Sequence, residues 1–105
     1  MEIKKTSKFL GCSEMKNISD IHEHAAKEMK RMHEVMQHVK VKEDKQAKHF
    51  HSFAMNYFKD GIYFFKEKKY TEAFEAFIIA WAYIDTGLKL KFFQVPREQK
   101  KWFTA

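Results

Sequence analysis

Apolar side chains return every three or four positions over three stretches of the chain, the pattern of helices that each bury one face. In the first stretch Ile21, Ala25, Met29, Met32, Met36 and Val39 draw one stripe. Ser19 or Asp20 offers a short acceptor for the free amides of a helix start, and Glu23 places an anion where the dipole favours it. The spacing predicts a helix over 20–41. Asp44 is a second cap, and beyond it Ala47, Phe50, Ala54, Tyr57, Gly61 and Phe64, broadened by Phe53 and Phe65, predict a helix over 45–67. Its other side carries Lys48, Ser52, Lys59 and Lys66, a solvated face, with a weak phosphate-tracking strip as the alternative. Thr71 caps again, with Glu72 and Glu75 behind it, and Ala73, Phe77, Ala80, Trp81, Ile84 and Leu88 form the inward stripe of a third helix over 72–93.

The third helix has a second apolar side. Stepped at about 100° per residue, Ile79, Tyr83, Leu90 and Phe93 fall roughly opposite the first stripe. A helix with two apolar sides buries both or offers one to a partner. Pro96 ends any helix running past Val95, and the tail beyond it is basic and aromatic, with Arg97, Lys100, Lys101, Trp102 and Phe103. This tail is expected to fold back over the second stripe, the alternative being a free recognition tail.

These elements make an all-α chain, an antiparallel up-down-up three-helix bundle. The expected divisions are a flexible basic arm over 1–18, a helical domain over 19–95 and the basic aromatic tail over 96–105. The expected core holds Met29, Met32, Met36, Phe50, Tyr57, Phe64, Phe77, Trp81, Ile84 and Leu88.

Two resemblances bear on this picture. Tyr57, Gly61, Phe64, Tyr70, Ala73, Phe77 and Ala80 stand at spacings similar to those of a tetratricopeptide hairpin, although Asp60 replaces the usual leucine and Asp85 the closing proline. The stretch NYFKDGIYFFKEKKYTEAFEAFIIAWAYIDTGLKLKFFQV, closing on Tyr83, Ile84, Asp85, Thr86, Gly87, Leu88, Lys89 and Leu90, more closely resembles an archaeal family known as domain of unknown function 357. The resemblance extends over about residues 19–95, and Lys91 stands where the motif has a second glycine. It implies three helices and an archaeal source, and brings no activity or ligand with it.

Composition narrows the remaining chemistry. Three glycines and one proline in 105 residues are too few for an all-β domain, which turns about every 8–12 residues. The longest apolar run, Ala76 to Ile84, is about half of a membrane span, and the first twenty residues lack the apolar segment of a secretion signal. The lone Cys12 cannot close an internal disulfide, so a reducing, cytoplasmic setting is expected. No two of the six histidines are three or four residues apart, the spacing at which helical ligands share a metal. With isolated glycines and no nucleophile set beside a base, neither a phosphate loop nor a catalytic centre is expected, and no metal or cofactor is implied. Asp85 is expected to pair with Lys89 one turn on, a ligand-facing carboxylate being the sharper alternative.

The functional expectation is therefore a non-catalytic interaction module. Ile79, Tyr83, Leu90 and Phe93 would contact a protein partner or a second copy in a homodimer. The alternative is an RNA- or DNA-binding accessory protein, in which Arg97, Lys100 and Lys101 contact phosphates and Trp102 stacks on a base. The net charge of +6 permits it, whereas the scarcity of arginine, limited to Arg31 and Arg97, disfavours specific base recognition.

Overall fold

The computed structural model describes residues 18–103. The expected basic arm and Cys12 lie outside the described residues. Within them the chain runs α1 (Ile18–His38), β1 (Lys40–Val41), α2 (Lys45–Lys66), α3 (Tyr70–Lys89), β2 (Phe93–Gln94) and α4 (Arg97–Lys100). The fold is mostly helical, as the apolar periodicity predicts, with a short fourth helix and a two-stranded antiparallel ribbon besides.

α3 is central, packing most extensively on α2 and then on α1. Its buried stripe is Ala73, Ala76, Phe77, Ala80, Ile84 and Gly87, with Phe77 and Ile84 wholly enclosed. α1 contributes Ala25, Met32 and Val35, and α2 contributes Ala47, Ala54 and Phe58. Of the expected core, Met32, Phe77 and Ile84 are buried, and the other seven members are partly buried around them. Val35 of α1 and Phe58 of α2 are buried too and lie outside that set, each one residue beside the apolar stripe that spacing draws on its helix.

Two glycines seat aromatic rings. A Cβ on Gly61 would lie 2.4 Å from the Phe77 ring, and one on Gly87 would lie 2.2 Å from the Phe93 ring. Both distances are far inside van der Waals contact, so each notch exists only because the side chain is a hydrogen.

The helix ends correct the expected boundaries. α1 starts at Ile18, which puts Asp20 inside its first turn, and stops at His38 because Lys40 and Val41 pair with β2. Asp44 caps α2 as expected, its Oδ2 accepting from the Ala47 amide at 3.0 Å. Thr71 is no cap, since α3 begins a residue before it with Lys69 at the N-cap. α3 ends at Lys89 rather than running to 93. The Lys91 amide donates to Leu88 O and the Phe92 amide to Gly87 O, a Schellman closure that reverses the chain. α2 closes the same way, Lys68 and Lys69 donating to Phe65 O and Phe64 O. Both closures put a lysine in the left-handed position, Lys68 at φ 63° and Lys91 at φ 66°.

Two stability predictions follow from this packing. Phe77→Ala should cost about 3–5 kcal/mol, measured by urea unfolding. Lys68→Gly and Lys91→Gly should each stabilise by roughly 0.5–1 kcal/mol, because glycine takes the left-handed conformation without a Cβ clash. A lowered unfolding midpoint in both glycine variants would show that neither turn is strained.

Candidate functional site

The second apolar side of α3 meets α2 through an aromatic cluster centred on Tyr83. Its ring stacks on Phe53 at 5.3 Å and on Tyr57 at 5.9 Å, and meets Phe50 edge-on at 5.8 Å. The cluster follows from periodicity, since Phe50, Phe53 and Tyr57 share one side of α2 while Ile79 and Tyr83 lie one turn apart on α3. It is only partly enclosed. Phe53 is 44% exposed, Ile79 39% and Leu90 51%. Of the four residues expected to face a partner, Ile79 and Leu90 are exposed and Tyr83 is half-buried. Phe93 is corrected: it lies in β2, 3% exposed, because the end of α3 at Lys89 lets the chain reverse and drop its ring on Gly87.

The C-terminal segment covers a different surface from the one expected. Trp81 Nε1 donates to Glu28 Oε1 at 2.6 Å, which ties α3 to α1, and the Phe103 ring meets Trp81 at 4.5 Å. The other Glu28 oxygen lies 3.9 Å from Arg31, whose guanidinium sits 5.7 Å over the Trp102 ring. Gln99, buried, donates from Nε2 to Glu34 O at 3.4 Å, while its Oε1 is without a hydrogen-bond partner. The segment is thus a strap over α1 and Trp81, and the outer side of α3 stays open. Arg97, Lys100 and Lys101 are exposed, but Trp102 is half-buried beside Arg31 instead of standing free for a base.

The ribbon forms a third surface. Lys40 pairs with Gln94 and Val41 with Phe93, and the Lys42 amide donates to Phe92 O at 2.8 Å. Side chains alternate along a strand, so Val41 and Phe93 face the core while Lys40, Lys42 and Gln94 face outward; Phe92, before the strand, is half-buried with its ring edge-on to Phe50 at 5.5 Å. A pocket of about 390 Å³ is lined by Lys40, Val41, Lys42, Lys91, Phe92 and Gln94, without a single acid. A second, of about 380 Å³, shares Lys91 and Gln94 and adds Lys100. Sequence reading missed this surface because strands of two residues are too short to show periodicity. The available signal was the alternation Lys40-Val41-Lys42 at the end of the first stripe.

The histidines act as ring neighbours of the aromatic core, His22 against Phe65 and Tyr70 and His33 against Phe58. Among the described residues no three of His, Cys, Asp or Glu are grouped to hold a metal ion. Asp85 meets Lys89 at 3.5 Å, the expected one-turn pair. No described helix is long and apolar enough to cross a membrane.

Comparison with known proteins places the fold. A family model described as a protein of unknown function (DUF357) matches residues 20–93. The chain belongs to this family. A crystal structure of a DUF357 protein from Archaeoglobus fulgidus superposes with a TM-score of 0.66 at 20% identity, covering 75% of this chain and 97% of that one. At that identity the likeness shows the shared fold alone. No protein with a curated description matches the sequence. The DUF357 match stops at Phe93, so the strap from Gln94 onward lies beyond the family segment.

One histidine supplies a pH test of this packing. His51 is half-buried beside Phe93, and desolvation lowers its pKa below the ordinary 6.5. The unfolded chain then takes up a proton at His51 near pH 6.5 that the folded chain takes up only at lower pH. Stability from this group is complete above about pH 6.5 and falls as the pH drops towards the folded value. The melting temperature should be lower at pH 5 than at pH 7.5, and His51→Gln should narrow that difference. An undiminished difference in the variant would assign the pH effect to other groups.

Proposed function

We propose that the protein is a non-catalytic interaction module that contacts a protein partner, a second copy of itself included, through the outer aromatic side of α2 and α3. The reading takes the three long helices as an antiparallel up-down-up bundle, with α2 and α3 as a tetratricopeptide-like hairpin. The observation that carries it is the exposure of Phe53 and Ile79 beside the Tyr83 cluster, on the side of α3 that the strap does not cover. Hairpins of that type bury one side against a preceding element and the other against the next repeat. Here the chain turns back at Leu90, and α4 packs elsewhere. Aromatic side chains grouped on such a side give a contact large apolar area at small entropic cost.

The experiment is light scattering of the purified chain beside a Phe53→Glu variant, with capture of partners from native extract by each. The reading expects self-association or a captured protein in the wild type, and its loss in a variant that keeps wild-type circular dichroism. A monomeric wild type whose captured proteins Phe53→Glu leaves unchanged would defeat it.

A further inference from the structure

Residues 40–48 and 89–101 hold nine lysines and arginines against three acids, a surplus equal to the whole net charge of +6. The pairing of β1 with β2 draws these two segments together at one end of a body 45 Å long. The charge is therefore concentrated at the ribbon, and the remainder of the chain balances to zero.

Two of the three acids in these segments are already engaged, and the third, Glu98, is exposed on α4. Glu43 pairs with Lys48 at 2.8 Å, Asp85 with Lys89, and Asp44 caps α2. The ion pairs among the described residues engage none of Lys40, Lys42, Lys91 and Lys100. All four of these lysines are exposed. Strand alternation aims Lys40 and Lys42 outward, and the Schellman closure sets Lys91 beside them.

We propose that the outward face of the ribbon binds the phosphate backbone of a single-stranded nucleic acid. Two observations favour an extended polyanion over an isolated phosphate. The two acid-free pockets share Lys91 and Gln94, so the cationic surface is a continuous track from Lys40 and Lys42 to Lys100. Phe92 lies among these lysines, half-buried with its ring edge-on to Phe50, and the part of the ring left to solvent is an apolar surface of the kind on which bases stack. Lysine as the cation suits backbone contacts tolerant of sequence, since bidentate reading of base edges falls to arginine. A bilayer is the poorer fit, because the surface is concave and its large apolar side chains, Phe92 half-buried and Leu90 exposed, lie among lysines. The site touches the aromatic cluster of α2 and α3 through Phe92, whose ring meets Phe50 edge-on at 5.5 Å, while its lysines lie outside that cluster, so Phe53→Glu separates the two readings.

The test is fluorescence anisotropy of the full chain with a labelled single-stranded homopolymer, at two salt concentrations, beside vesicles containing phosphatidylserine. With four lysines on phosphates, affinity should fall about 50-fold between 50 and 200 mM salt. A Lys42→Ala, Lys91→Gly double variant should bind roughly tenfold more weakly, with about half the salt slope. Lys91→Gly suits the left-handed turn, so this loss would not come from unfolding, and circular dichroism verifies it. A Lys59→Ala, Lys69→Ala variant with the same charge change should bind like the wild type, as should Phe53→Glu. Equal losses in both double variants, binding insensitive to salt, no binding at all, or tighter binding to vesicles than to the homopolymer would each overturn the proposal.

Discussion

The structure depends on rings seated on glycine. Phe77 of α3 lies against the backbone of α2 at Gly61, and Phe93 of β2 lies against α3 at Gly87, both closer than any Cβ would allow. The first contact draws α2 onto α3 and encloses Phe77. The second is the more consequential, because it tells the chain where to go after the helix ends. With the Phe93 ring committed to Gly87, the alternation of the ribbon leaves no choice about Lys40, Lys42 and Gln94. A slip of one residue would put lysines into the core and phenylalanine into water.

The strap depends on the same event. Val95, two residues beyond Phe93, is also buried, and from there α4 delivers Gln99, Trp102 and Phe103 to α1 and Trp81. The contacts that hold it are mixed in quality. Phe103 on Trp81 and Trp102 beneath the Arg31 guanidinium are favourable contacts, whereas Gln99 encloses a carbonyl oxygen without a partner. An enclosed polar atom of that kind costs about 1–3 kcal/mol. The strap therefore holds by apolar contact against a polar debt, and it lies on residues outside the segment that defines the family.

Much of the helical scaffold was legible in the order of residues, because helical periodicity is a repeated signal that a few exceptions cannot hide. The stripes placed α1, α2 and α3 to within a few residues, and Asp44 declared itself as a cap. What was not legible lay where two signals overlapped. Phe93 continues the outer stripe of α3 at a helical interval, so spacing alone extended the helix through it. The structure instead ends the helix by a backbone closure at Lys91, where glycine would have announced the turn and lysine concealed it. The tail was legible as basic and aromatic but not as to its destination, since its partners Arg31, Glu34 and Trp81 are remote in the chain.

That concealment bears on function. A left-handed position costs a residue with a Cβ about 1–2 kcal/mol relative to glycine, and Lys68 and Lys91 both bear it. Lys68 sits in the turn between α2 and α3, among Lys66, Glu67 and Lys69, and lines neither of the two acid-free pockets. Lys91 sits where two acid-free pockets meet, so glycine there would relieve the backbone and remove the cation common to both. Strain held at one position while a stabilising residue is available is the pattern of a site kept for what it contacts. The strain is common to both turns, so what distinguishes Lys91 is not its backbone but its place in the two acid-free pockets at the ribbon end.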